Sequence, residues 1–323
     1  MLAAAQQHFD FNQRDRFLHQ ISPSFDLSVG ELWWALTAGG QLCIATKATR
    51  RSPVQLGDYI REAAVTFTYF TPTQLALVLE HNGAALAANP NYRISLLCGE
   101  RLPARLADAF HKLGTSATLY NCWGPTEAVV QTTIHRCDGP VAEQLNIPIG
   151  YALGNCRHYI VDAAMNPLPP GFVGEICIGG PQVAQGYWNR PEVNRKQFVR
   201  NPFCSLDDEE RGWTMLFRTG DRGRFLPDGQ LEFLGRISGD KQVKLRGLRI
   251  DLGEIEHVLH RESFTSEGQG IVDLAVVART EDEDPASLTD DRQLVAFVVP
   301  KKPLQTNRDK AAYAVLLQAR AKG

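Results

Sequence analysis

The amino-acid sequence predicts an α/β fold in three parts: a layered α/β region, an antiparallel sheet or small barrel, and a small α+β lobe. Two patterns carry this expectation. From Ser22 to about Ile149 short apolar runs alternate with helical patterns, and beyond Gly150 the runs become short strands punctuated by turn residues. A length of 323 residues, at about 150 per domain, allows roughly two domains with a sizeable core.

In chain order, the strand candidates of the first part are residues 42–45, 65–70, 94–98 and 118–120. Residues 103–113 set Leu106, Phe110 and Leu113 on one helical face, with Pro103 at the start and Gly114 just past the end. In the second part, residues 159–161, 174–178, 222–225 and 231–234 read as strands. Pro227-Asp228-Gly229 joins the last two as a hairpin, because Asp-Gly tolerates the positive φ of such a turn. A basic stretch over 241–249 follows, then a helix from about Leu252 with Ile255, Val258 and Leu259 on one face. Strands over 274–278 and 294–299, joined by an acidic loop, complete the lobe. The expected divisions are therefore 1–150, 151–238, 239–303 and a tail over 304–323.

Lys and Arg number 34 against 36 Asp and Glu, a net charge of -2. That balance disfavours a broad nucleic-acid footprint and a polybasic membrane surface. No apolar run is long enough to span a bilayer, and the short Met1–Ala5 run is no signal-peptide core, so no membrane association and a cytoplasmic location are expected. The seven cysteines are odd in number, and none forms a C-x-x-C pair, which predicts reduced thiols.

The densest chemical signal is Asn121-Cys122-Trp123-Gly124-Pro125-Thr126-Glu127, directly after a strand candidate. An aromatic face can stack on a purine, and a hydroxyl and a carboxylate beyond a tight turn can meet a phosphate and its Mg²⁺. The alternative is a Gly-Pro turn with a capping Thr. His257 and His260, three apart on a helix, read as a solvated or capping pair for want of a third metal ligand. Lys241, Lys244, Arg246 and Arg249 alternate with apolar residues, as in a strand facing a cleft.

This stretch resembles the N-x-Y-G-P-T-E motif of nonribosomal peptide synthetase adenylation domains, of the acyl-CoA synthetase and luciferase superfamily, with Trp123 in place of Tyr. Phe25-Asp26-Leu27-Ser28 resembles the family's F-D-x-S segment. The stretch from Gly174 to Gly180 continuing to Gly186-Tyr187-Trp188-Asn189-Arg190-Pro191, then Phe217-Arg218-Thr219-Gly220-Asp221, and Gly235-Arg236 with the run from Gln242 to Glu256, match further motifs in the family's order.

The resemblance implies a partial large adenylate-forming domain, layered α/β plus antiparallel β-barrel, with an incomplete C-terminal lobe. It implies attack of a carboxylic acid on the ATP α-phosphate and transfer of the acyl group to a phosphopantetheine thiol on a partner carrier domain. Trp123 would stack on adenine, with Asn121, Cys122 and the Gly124 turn beside it. Thr126 would bind the α-phosphate and Glu127 the Mg²⁺, while Asp221 holds the ribose hydroxyls, with Arg236 close by and Lys244 also among the nucleotide contacts. Asp26 corresponds to the position that binds the α-ammonium of an amino acid, and a buried carboxylate there demands a partner cation; an ordinary helix cap is the other reading. Leu27, Gly30, Tyr69, Leu96, Cys98, Cys122, Val130 and Gln131 would line the acyl pocket, with Tyr69 and Gln131 as its polar points and Gly30 leaving room.

No Ser/Thr/Gly-rich loop ending in P-K-G precedes Phe25, and no N-G-K segment follows Val299. The chain is therefore expected to be an internal fragment that makes no acyl adenylate by itself at a useful rate. The alternatives are an acyl-CoA or aryl-acid ligase, which Asp26 disfavours, and a non-catalytic nucleotide-binding remnant. Gly239 and Asp240 are the expected hinge.

Overall fold

The computed structural model describes residues 1–139, 146–237, 242–245, 248–263, 271–279 and 292–300. The expected hinge, the acidic loop over 281–291 and the tail lie outside them. Two compact units divide at Ser238 and Gly239.

The first unit opens with α1 (Leu2–Phe9), β1 (Arg16–His19), α2 (Leu27–Ala38), β2 (Gln41–Ile44), α3 (Lys47–Arg51), α4 (Pro53–Glu62), β3 (Phe67–Phe70), α5 (Pro72–Ala87), β4 (Ile94–Leu97), α6 (Ala104–Lys112) and β5 (Thr118–Trp123). A single 3₁₀ turn, Thr126–Ala128, leads to β6 (Thr133–Cys137) and β7 (Tyr151–Ala152). These strands form one sheet in the order β2-β1-β3-β4-β5-β6-β7, parallel from β2 to β5 and antiparallel at β6 and β7. β3 and β4 are buried at every position, the continuous apolar signature of a strand covered on both faces.

Helix ends follow local chemistry. Thr46, Ser52 and Thr71 accept from the backbone three residues on, and Pro53 and Pro72 occupy first-turn positions where no N–H is needed. The face of α6 predicted from Leu106 and Phe110 is buried. Phe9, Phe11, Phe17, Trp34, Phe67 and Tyr69 form an aromatic core above the sheet. The opposite stripe of α2, with Val29, Trp33 and Leu36, is exposed.

β8 (Arg157–Val161), β9 (Gly174–Gly179), α7 (Pro191–Gln197), β10 (Phe198–Arg200), α8 (Leu206–Glu210), β11 (Met215–Phe225) and β12 (Leu231–Arg236) follow. The expected barrel is an antiparallel five-stranded sheet, β10-β11-β9-β8 with β12 also on β11, and no closing pair joins its edges among the described residues. Register breaks between Arg218 and Arg222 and between Arg222 and Gly223 bend β11, so that one edge serves β10 with its first half and β12 with its second. A bridge from Gly150 to Leu231 ties this sheet to the first.

The second unit contains the hairpin β13 (Gln242–Leu245) and β14 (Leu248–Asp251), then α9 (Leu252–Ser263), β15 (Ile271–Arg279) and β16 (Gln293–Pro300). Val243, Leu252 and Val276 form its core, and Glu256 Oε1 accepts from the Val276 N–H at 2.9 Å. No helix among the described residues is long and apolar enough to cross a membrane. All seven cysteines are free; six are buried and Cys204 is partly exposed.

A buried carboxylate fastens α2 to the end of β1. Glu31, fully buried, accepts through Oε2 from the backbone N–H groups of Gln20 (3.1 Å) and Ile21 (3.2 Å) and meets His19 Nδ1 at 2.9 Å. Hydrogen bonding to Glu31 raises the His19 pKa above its usual 6.5, and burial raises that of Glu31 above 4.5. Protonation is thus favoured in the folded chain at both groups. The His19 contribution is complete below its unfolded value of about 6.5 and is lost as pH rises through the folded value. Urea denaturation is expected to show Glu31→Ala less stable by about 3 kcal/mol, since two buried N–H groups lose their acceptor. Stability should decline above pH 6.5 in the parent, and His19→Gln should flatten that decline; an unchanged slope would exclude the pair as its source.

Candidate functional site

Open α/β sheets bind ligands at the carboxyl ends of their parallel strands. β1 leads into the loop before Asp26, β3 carries Tyr69, Cys98 follows β4, and β5 ends in Asn121, Cys122 and Trp123. Leu27, Tyr69, Leu96, Cys98, Cys122 and Val130 pack in one hydrophobic cluster. Gln131 joins it, its Oε1 accepting from the Tyr69 hydroxyl at 2.9 Å. Burial, then the neighbouring Cys98 and Cys122 thiols, push the Tyr69 pKa well above 10, so this hydroxyl stays a neutral donor.

Two expectations change here. Asp26 is half-buried rather than buried; it stands at the N-cap of α2, yet its side chain makes no capping bond. The loop before it is already fastened by Glu31, so the carboxylate is not spent on the helix end. Gly30 does not leave room: a Cβ built there falls 3.1 Å from Trp34 Cη2 and 3.2 Å from Cζ3, because the Trp34 indole, one helical turn on, lies over it.

The motif loop is held by close backbone approach. A Cβ on Gly124 would lie 2.5 Å from Gln131 Cα and 2.7 Å from the Val130 carbonyl oxygen, so only glycine fits. Val129 (φ 57°) and Val130 (φ 70°) are left-handed, an outlying conformation for β-branched residues. Gln182 Nε2 clamps this bend, donating to the carbonyls of Ala128 (3.1 Å) and Gln131 (3.3 Å). Thr126 is exposed and Glu127 half-buried, with Oε1 accepting from the Tyr187 hydroxyl.

Trp123 is partly buried and packs against apolar residues of the second sheet, including Ile178 and Ile176. His158 lies at 6.3 Å between ring centroids, with Nε2 2.9 Å from Thr132 Oγ1; loss of water around the ring pushes its pKa down to about 4, so it is neutral at pH 7. Asn121 is buried and donates Nδ2 to the Pro148 carbonyl at 2.8 Å, which makes it a tie between β5 and the segment leading to β7.

On the second sheet Asp221 and Arg236 are register partners, and Arg236 Nη1 donates to Asp221 Oδ1 (2.7 Å) and to the Thr219 carbonyl (3.0 Å). Beneath them Glu175 Oε2 accepts two bonds from Arg218, at 3.0 and 2.6 Å, while Oε1 accepts the Gly220 N–H at 3.1 Å. A carboxylate fixed in this way suits a vicinal diol. Lys244 belongs to the second unit, in register with Arg249 on β14.

Sequence reasoning assigned no role to Trp34, Tyr187, Glu175 or His158. Trp34 is four residues from Gly30 on one helical face, a spacing that could have found it. No group of three His, Cys, Asp or Glu able to hold a metal occurs among the described residues.

The left-handed bend generates a stability prediction. Val129 is 40% exposed, so its side chain contributes little packing, while its backbone carries about 1–3 kcal/mol of strain. Val129→Asn, a residue that tolerates this region, should raise stability by about 1 kcal/mol in urea denaturation. A loss instead would show that the bend is not strained.

The model of the AMP-binding enzyme family matches residues 1–188. The hybrid PKS-NRPS synthetase pyvA of Aspergillus violaceofuscus is 72% identical over 322 residues, covering 100% of this chain and 8% of that protein. A crystal structure of the Vibrio cholerae adenylation domain AlmE in complex with glycyl-adenosine-5'-phosphate superposes with a TM-score of 0.75 at 26% identity, over 94% of this chain and 53% of that one. Holo-PA1221, an NRPS protein containing adenylation and PCP domains, gives 0.74 at 26%, over 96% and 54%. The chain thus spans about 8% of the length of that synthetase and about half of each of these structures. It belongs to the AMP-binding, adenylate-forming enzymes, as part of an adenylation domain of the nonribosomal peptide synthetase kind.

Proposed function

We propose that this chain supplies the adenosine- and aminoacyl-binding parts of a domain that activates an amino acid as its aminoacyl adenylate and passes it to the phosphopantetheine thiol of a carrier domain. The observation that carries this is the half-buried, uncapped Asp26 carboxylate beside the apolar cluster around Tyr69. An α-ammonium meets Asp26 while the side chain enters the cluster. That AlmE was solved with glycyl-adenosine-5'-phosphate supports the reading.

In this reading the amino acid's carboxylate oxygen bonds to the α-phosphorus of ATP as the bond to pyrophosphate breaks. Trp123 stacks on the adenine, Asp221, steadied by Arg236, accepts from the ribose hydroxyls, and the exposed Thr126 hydroxyl meets the α-phosphate. Glu127 fits a Mg²⁺ ligand: Mg²⁺ takes one or two carboxylates plus phosphate oxygens, and Tyr187 aims this one. The metal supplies charge neutralisation on the phosphates. No protein nucleophile enters, so the residues act by positioning and electrostatics.

Calorimetry with aminoacyl-sulfamoyladenosines, stable mimics of the adenylate, tests both halves. The purified chain should bind them, and Asp221→Ala should weaken binding of every analogue by about tenfold or more, since the ribose contact is common to all. The deamino analogue should bind about 2–5 kcal/mol less well, a difference that Asp26→Asn largely removes. Equal affinity for the amino and deamino forms would assign the chain to the acyl-CoA or aryl-acid ligases instead.

A further inference from the structure

The floor of the aminoacyl cluster is closed by a residue outside the expected lining. Trp34 is fully buried, its ring stacked on Tyr69 (centroids 5.7 Å apart, planes at 24°) and set edge-on to Phe67 at 5.5 Å. The far edge of the same indole lies over Gly30, where a side chain would otherwise project. Aromatic neighbours on more than one side hold it as a wall, because no rotamer change is possible without displacing Tyr69 or Phe67.

Little space remains beyond that wall. Tyr69, Leu96 and Gln131 expose none of their surface, and Cys98, Cys122 and Val130 expose at most 3%. Asp26 and Leu27, by contrast, are half-exposed at the mouth. Two buried N–H groups of this cluster have no partner among the described residues: Gln131 Nε2, on the amide whose oxygen takes the Tyr69 hydroxyl, and Trp34 Nε1. A buried amide N–H without an acceptor is costly, and a ligand oxygen placed against it removes that cost.

Building on the reading of this cleft as an aminoacyl-adenylate site, we infer that Trp34 sets the depth of the acyl pocket and that the amino acid taken has a short side chain ending in a hydroxyl, of serine size, which accepts from Gln131 Nε2. Trp34 acts as a specificity-determining residue from behind Gly30: the glycine at that position reflects the indole covering it rather than an enlarged pocket.

The test is calorimetric binding of seryl-, alanyl- and phenylalanyl-sulfamoyladenosine to the 323-residue chain and its variants. The seryl analogue should bind about tenfold more tightly than the alanyl one, and about a hundredfold more tightly than the phenylalanyl one. Gln131→Met should abolish the seryl-over-alanyl margin. Trp34→Ala should tighten phenylalanyl binding by about tenfold or more and leave seryl binding within a few-fold of the parent. Trp34→Phe, which keeps an aromatic core but withdraws the benzo edge from Gly30, should shift selectivity in the same direction if the alanine variant loses the parent's circular dichroism spectrum. A wall that only supports the fold would weaken all three ligands together. Binding of all three in an order unaffected by either Trp34 variant overturns this inference and leaves the adenylate site standing. Failure of every analogue to bind overturns the adenylate site and the inference with it.

Discussion

The candidate site depends on one buried carboxylate. Glu31 gathers two backbone N–H groups and the His19 ring at the point where β1 ends, and so fixes where α2 begins and how it is rotated. Everything α2 offers follows from that anchor: Asp26 at its first turn, Gly30 and Trp34 on the face toward the sheet. A carboxylate with no exposure is an expensive anchor unless its lone pairs are occupied. Here all three contacts converge on Oε2, and Oε1 has no partner among the described residues, so the bonds that define the loop offset its burial only in part.

The two sheets contribute different kinds of precision. On the parallel sheet, the segments after β5 cross so closely at Gly124 that backbone touches backbone, and two valines are held in an unfavourable conformation to make the bend. On the antiparallel sheet, the irregularity of β11 turns Asp221 toward Arg236, with the Glu175–Arg218 pair holding the turn beneath. One side is shaped by steric exclusion and the other by charge-assisted hydrogen bonds. Trp123 touches apolar residues of the second sheet, so the aromatic of the motif loop rests on both layers.

Much of this was legible in the sequence, and the exceptions have physical reasons. β3 and β4 announced themselves as short, largely apolar runs because they are covered on both faces. β1 did not: Arg16-Phe17-Leu18-His19 has only two apolar residues between charged or titratable ends, too short for periodicity to show. α5 carries a non-helical Asn82 within it, which interrupts any helical pattern. At the site, linear order revealed the residues that carry chemistry but not those that aim them. Tyr187 lies 60 residues from Glu127, and Arg218 lies 43 from Glu175. Gly30 misled because an absent side chain reads as space until its neighbour is placed.

The buried cysteines turn the core into its own probe of opening. Burial pushes Cys137 and Cys177 up to about 12 and Cys156 to about 11, and raises Cys122 well above 9, so almost no thiolate exists at neutral pH in the closed chain. Alkylation therefore proceeds through transient breathing, and its rate at each sulfur reads the free energy of exposing that patch, as amide exchange does for backbone. Cys98 and Cys122 report from the apolar cluster around Tyr69, while Cys137, Cys156 and Cys177 report from the sheets around it.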